Sequence, residues 1–188
     1  MPTRSVLRIV GETTPLVILY AVIELLAGGV LGGMVDMMEL LPGLLILIPG
    51  LLDLRGSIGS TFGARLTSGL HLGLVRPHRS GKALKTNIYA SLILSFFVSL
   101  MLAVFAWALC LIMGIPSISL AAFMAISMVT GVVSGTILTG IAILVSFLSY
   151  GRGVDPDDIT TPTIGTLGDI ITVLCLFGTV HLVLWLGI

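Results

Sequence analysis

The sequence predicts an all-α membrane protein with five transmembrane helices per subunit, and three observations carry that prediction. Of its 188 residues 56% are hydrophobic and 10% charged, with a mean hydropathy of +1.18. A soluble chain carries roughly 25% charged residues, so this one cannot cover its surface with polar groups and has lipid as its solvent. Five apolar segments occupy approximately 16–38, 39–72, 86–113, 117–149 and 160–187, each at least the ~20 residues that a helix needs to cross the hydrocarbon. The separators are short and hold no soluble domain, so residues 1–188 read as a single transmembrane domain.

The first segment follows MPTRSVLRIVGETTP, with Arg4 and Arg8 ahead of it. A cleaved signal peptide has a short apolar core and then a small-residue cleavage site. Here the run continues to Met38, which predicts a retained first span. Gly28–Gly32 and Gly29–Gly33 are spaced for helix contact, as are Ser127, Gly131, Gly135 and Thr139 in the fourth segment. In lipid, close backbone approach replaces the hydrophobic effect as the packing force. The second and fourth segments are long enough to imply tilt, a break or extension beyond the bilayer. In the second, LIPGLLDLRGSIGS places Pro49, Gly50, Gly56 and Gly59 where they are expected to weaken or break the helix. Cys110 and Cys175 lie in apolar runs and read as small buried hydrophobes.

Lys and Arg placement sets the orientation. Arg4 and Arg8, then Arg76, Arg79, Lys82 and Lys85, then Arg152 fall on one side. The alternate loops, near Asp36–Glu39 and at 114–117, contain neither residue type. The expectation is a cell-membrane protein with its N-terminus cytoplasmic and its C-terminus outside. Nine basic and nine acidic residues leave no net charge, which argues against a nucleic-acid partner.

Charged groups inside the spans need a partner or a purpose, because each costs several kcal/mol at mid-membrane. Glu24, Asp53 and Asp169 are such groups, with Arg55 and Arg65 in the second span and His181 near the outer end of the fifth. At about 1.5 Å of rise per residue, the three carboxylates are expected to converge near the midplane or just on its cytoplasmic side. Asp53 has a possible ion-pair partner in Arg55, and Glu24 a possible neutral, hydrogen-bonded role. Asp169 has no basic neighbour in its span and is surrounded by Gly165, Gly168, Thr163, Thr166 and Thr172. That all-oxygen environment suits hard cations. Asp155, Asp157 and Asp158 read either as helix caps or as an acidic mouth. No HExxH, nucleophile elbow or Walker loop occurs, and His71, His78 and His181 are scattered. The chain is not expected to be an enzyme. A membrane enzyme would have to use Glu24 with Asp53 or Asp169 as its acid–base pair.

Two stretches resemble a known family. PGLLDLRGSIGSTFGARLTSGLHLG, residues 49–73, resembles the second-helix motif of the MgtE and solute-carrier-41 magnesium transporters, approximately P-x-L-x-G-L-K/R-G-N followed by a stretch like ARLST. DPDDITTPTIGTLGDIITV, residues 155–173, resembles their fifth-helix motif, approximately D-P-D-N followed by a proline and then an aspartate. The resemblance implies a homodimer of five-helix subunits with an ion path on the two-fold axis, lined chiefly by helices two and five. It implies a divalent cation transporter or channel, most naturally for Mg²⁺ as the transported ion, with no other cofactor. On it, Asp169 is the central metal-facing acid, Gly165 and Thr161 lie on the same face, Ser57 stands where the family has Asn, and Asp157 matches the cytoplasmic acid. Asp53 replaces a small residue and adds a carboxylate beside the path. A Na⁺- or H⁺-coupled exchanger with Glu24 or Asp53 as coupling acid is the alternative; a membrane enzyme or structural subunit is the remaining class.

Overall fold

The structure, a computed structural model, describes residues 2–76 and 81–186, the side chains of residues 2–13, Leu16 and Asp158 excepted. His78 and Arg79, and the side chains of Arg4, Arg8 and Asp158, therefore lie outside what is described. The elements run α1 (Pro2–Gly32), α2 (Val35–Leu40), α3 (Leu44–His71), α4 (Lys82–Met113), α5 (Leu120–Gly151) and α6 (Pro156–Leu186). Among the described residues, four helices, α3 to α6, are long and apolar enough to cross a membrane, while α1 carries a shorter apolar stretch, Val17–Gly32. The protein is all-α and multi-pass.

Local chemistry moves several boundaries from their expected places. The first apolar run does not continue to Met38 as one helix; α1 stops at Gly32 and α2 follows as a separate turn. The second span starts at Leu44, because Pro42 and Gly43 break the chain, with Gly43 at φ +86°. Side chains are excluded at Gly43, since a Cβ there would stand 2.9 Å from Cys110 Sγ and 3.1 Å from Phe123. α5 starts behind Ser119, whose hydroxyl accepts the Ala122 N–H at 3.1 Å, an N-cap. α6 starts at Pro156, a favoured first helical position.

α3 is continuous through Pro49, so the expected mid-span break is absent. Pro49 lies early in the helix and removes one donor, and Gly50 and Gly59 serve contact rather than interruption. A Cβ on Gly50 would lie 2.5 Å from Leu102 Cδ1, and one on Gly59 would fall on Ile164. α3 packs against α4, α5 and α6, while α1 packs against α6.

Two apolar cores form the bundle. One joins Leu44, Leu47 and Leu51 of α3 to Ala106, Phe123 and Leu176. The other joins Phe62, Leu66 and Leu70 to Leu84, Ala142 and Ile164. Between them lies a polar belt centred on Arg55, which is buried. Its guanidinium donates to Ser95 Oγ at 3.3 Å, Ser99 Oγ at 3.2 Å and the Gly131 carbonyl.

Candidate functional site

α3 presents two unlike faces. Leu51, Arg55, Ile58 and Phe62, spaced three to four apart, turn inward. Asp53, Gly56, Ser57 and Ser60 turn the other way and meet α1 and α6 across a cavity of about 610 Å³. Glu24 and Tyr20 come from α1, and Gly165, Thr166 and Asp169 from α6. The three intramembrane carboxylates thus share one cavity, and Glu24 is within electrostatic reach of Asp169. The depth estimates shift with the helix ends: Asp169 lies about 20 Å along α6 and Asp53 about 14 Å along α3 from its opposite end. A second cavity adjoins the first through Ser60 and Pro162 and is lined by Thr61, Ala64, Thr161 and Asp157. The structure therefore brings Asp169, Asp53, Ser57 and Gly165 to one cavity and Thr161 and Asp157 to the next, along the same α3–α6 wall.

Glycine keeps this wall open. Around Gly56 and Gly165 no atom lies within 4 Å of a Cβ position, so both face empty cavity rather than a neighbouring helix. Both lie within continuous helices, so the bare carbonyls expected of a broken span are replaced as candidate acceptors by side-chain oxygens. Of the threonines near Asp169, Thr166 lines the cavity, whereas Thr172 is buried and donates to the Gly168 carbonyl at 2.6 Å. Among the described residues, no three His, Cys, Asp or Glu side chains cluster tightly enough to hold a metal ion between them.

Arg55 is not the partner of Asp53. Its side chain points to α4 and α5, while Asp53 is exposed on the opposite face. One residue separates them, and positions two apart on a helix face different directions. Arg55 is instead a clasp: it ties α3 to Ser95 and Ser99 of α4 and to the Gly131 carbonyl of α5. Its Nε has no partner. The small-residue row of α5 serves the same contact within the subunit. Gly135 leaves room for Arg55 Nη1 and Ser95, and Ser127 donates to the Ser99 carbonyl at 2.7 Å. The α1 glycines differ, since Gly28, Gly29 and Gly32 have nothing within 4 Å of a Cβ position.

Sequence reasoning missed Ser60, Tyr20 and the clasp. Ser60 was within reach, three residues after Ser57 on the same helical face. The clasp had a signal too: Ser91, Ser95 and Ser99 recur every four residues in the most apolar stretch of the chain, and all three are buried.

At the start of α6, Asp155 caps the helix by accepting the Asp157 N–H at 3.0 Å, and His71 Nε2 stands 3.5 Å from the same oxygen. The Asp157 N–H first, and the His71 contact after it, hold the Asp155 carboxyl below its ordinary pKa. At the other end, His181 is exposed and bonds the Phe177 carbonyl at 2.9 Å, apart from the cavities. Cys110 and Cys175 are free.

A family model described as MgtE, divalent cation transporter, matches residues 48–179. The match covers more than half of the chain and takes in the cavity-lining parts of both α3 and α6. This chain belongs to the MgtE family of divalent cation transporters.

Proposed function

We propose that two copies of the chain assemble and carry Mg²⁺ along a path between their α3 and α6 helices, with α1 as a fifth span and Asp169 as the central acid. The observation that carries this reading is the convergence of Glu24, Asp53 and Asp169 on one glycine-walled cavity that opens on a flank of a membrane bundle. Mg²⁺ gives up its waters reluctantly. Six waters at about 30 Å³ each occupy about 180 Å³, so a cavity of about 610 Å³ accommodates the hydrated ion. The carboxylates then act through the water shell. Asp169 neutralises charge, and Ser57, Ser60 and Thr166 accept hydrogen bonds from the shell. Contact through water keeps binding weak enough for release.

The path runs on through Thr161 to Asp157, an acid at the mouth that concentrates cations. The placement of Lys and Arg supports a cytoplasmic N-terminus and an outer C-terminus, which puts Asp157 on the cytoplasmic side.

Asp169→Asn in proteoliposomes is expected to lower Mg²⁺ flux by about tenfold or more, because a neutral amide no longer attracts a divalent charge. Yield and helical signal stay unchanged. Wild-type flux from this variant removes Asp169 from the path. Asp53→Gly is expected to fold normally, since Arg55 does not lean on it, and to change the apparent affinity or the rank of Mg²⁺ among competing divalent ions.

Glu24 and Asp53 in the cavity of Asp169 favour one second reading, a Na⁺- or H⁺-coupled exchanger with Glu24 or Asp53 as the coupling acid. Flux that collapses without a H⁺ or Na⁺ gradient selects it. Flux driven by the Mg²⁺ gradient alone selects the channel.

A further inference from the structure

α3 ends at His71 and the chain turns at Gly73, whose φ is +69°. Val75 then folds back onto the helix. Its N–H bonds the Gly69 carbonyl at 2.9 Å, and its side chain fills the space that a Cβ on Gly69 would need. The fold-back leaves a cleft of about 390 Å³ between the end of α3 and the start of α4. Leu72, Leu74 and Val75 give it an apolar wall; Arg65, Ser68 and Asn87 give it a polar one. Leu74 also lines the neighbouring cavity, which contains Arg76.

Two features of this cleft ask for a ligand. The first is unmatched charge. Residues 54–154 contain no Asp or Glu. Arg65 and Arg76 are exposed and form no ion pair among the described residues. The second is exposed oil beside that charge: Leu72 is 73% exposed and Leu74 64%. Arg65 lies about 9 Å from the end of a helix about 42 Å long. Against a hydrocarbon layer of about 30 Å, that places it at the boundary with the headgroups.

We propose that this cleft binds an anionic phospholipid. The headgroup phosphate meets Arg65, with Ser68 and Asn87 as hydrogen-bonding neighbours and Arg76 adding long-range attraction. The glycerol and first methylenes pack on the leucine wall. Basic pockets between membrane helices recognise acidic lipids by this combination. A free inorganic anion gains nothing from the leucines. A zwitterionic lipid brings its own cation toward the arginines. The site is separate from the carboxylate cavity and does not depend on the transport reading.

The test is native mass spectrometry of the full-length, delipidated protein with phosphatidylglycerol or phosphatidylcholine. Phosphatidylglycerol is expected to be retained about tenfold better. Arg65→Gln combined with Arg76→Gln is expected to bring that ratio near one. Leu74→Glu does the same without touching either arginine, and this exposed site decides the matter if the double variant does not fold. Glycerol phosphate in excess is expected not to compete. Equal retention of the two lipids, or an unchanged ratio in the folded variants, overturns the proposal. Displacement by glycerol phosphate also overturns it, because the site is then one for a free anion.

Discussion

Asp155 caps α6 and Asp169 lies within it, and their settings differ. Asp155 accepts a backbone N–H at the first turn of α6, where an anion is favoured by the helix dipole. Its folded pKa lies below the ordinary carboxylate value. A carboxyl lowered on folding contributes stability that is complete above its unfolded pKa, about 3.9. That stability is lost as pH falls through the lower, folded value. The start of α6 should therefore stay closed down to about pH 4 and loosen below it. Hydrogen exchange at the Asp157 amide measures this: protection should fall with acidity in the wild type and stay level in Asp155→Asn, which keeps an acceptor but no charge. Level protection in the wild type contradicts the cap. Gly165 makes a second test at this scale. Its missing side chain faces open cavity, so Gly165→Ala costs nothing in packing and narrows the proposed path. Folding should be unchanged and flux lowered on the order of two- to fivefold; unaltered flux would mean that ions do not pass this face.

At the scale of elements, α3 is held in rotation by Arg55, and that rotation decides what faces the cavity. The side chain reaches two helices through hydroxyls and a carbonyl, in a belt between two apolar cores. Gly135→Val would push a Cβ within 2.5 Å of Arg55 Nη1 and 2.8 Å of Ser95 Oγ. It should cost about 1–3 kcal/mol by overpacking. Arg55→Ala should cost about 2–5 kcal/mol by leaving a void. The two share one contact, so the double variant should be less destabilised than the sum, read as thermal stability in detergent. Additive losses would mean that the glycine and the arginine serve different contacts. This belt also shows what was readable from sequence. Apolar length was enough to locate α3 to α6 approximately, and rise per residue was enough to bring together Glu24, Asp53 and Asp169, which share one cavity. Helical spacing could place Gly56 and Ser57 on the face of Asp53. It could not decide whether Gly50 and Gly59 were breaks or notches, because a missing side chain reads alike in both. Only the neighbours Leu102 and Ile164, brought close by the fold, distinguish them. Nor could proximity in sequence separate Asp53 from Arg55, although two residues of helix turn them to different faces.

At the scale of the whole molecule, the carboxylate wall is left open. Glu24, Asp53 and Ser57 are exposed on one flank of a bundle whose other surfaces carry Ile112, Phe105 and Trp185 toward lipid. A carboxylate facing the bilayer centre costs about 2.5–3.5 kcal/mol even on permissive insertion scales, and this flank carries several. Protein and water are the available covers. In the proposed dimer a second copy related by two-fold symmetry would supply both, since it would meet the first with the same flank and enclose a wet path between two sets of acids. Gly28, Gly29 and Gly32 on α1 have no neighbour within the subunit and leave room for close backbone approach. The test starts from a variant with Cys110 and Cys175 replaced, so that an introduced thiol has no competitor. Ser57→Cys, on the open flank, should form an intermolecular disulfide in native membranes under mild oxidation, and Mg²⁺ flux should fall as the link forms and return on reduction. Leu111→Cys, exposed on α4 away from the cavity, should stay monomeric under the same oxidation. Cross-linking at Leu111 with none at Ser57 would mean that the acids face something other than a second copy.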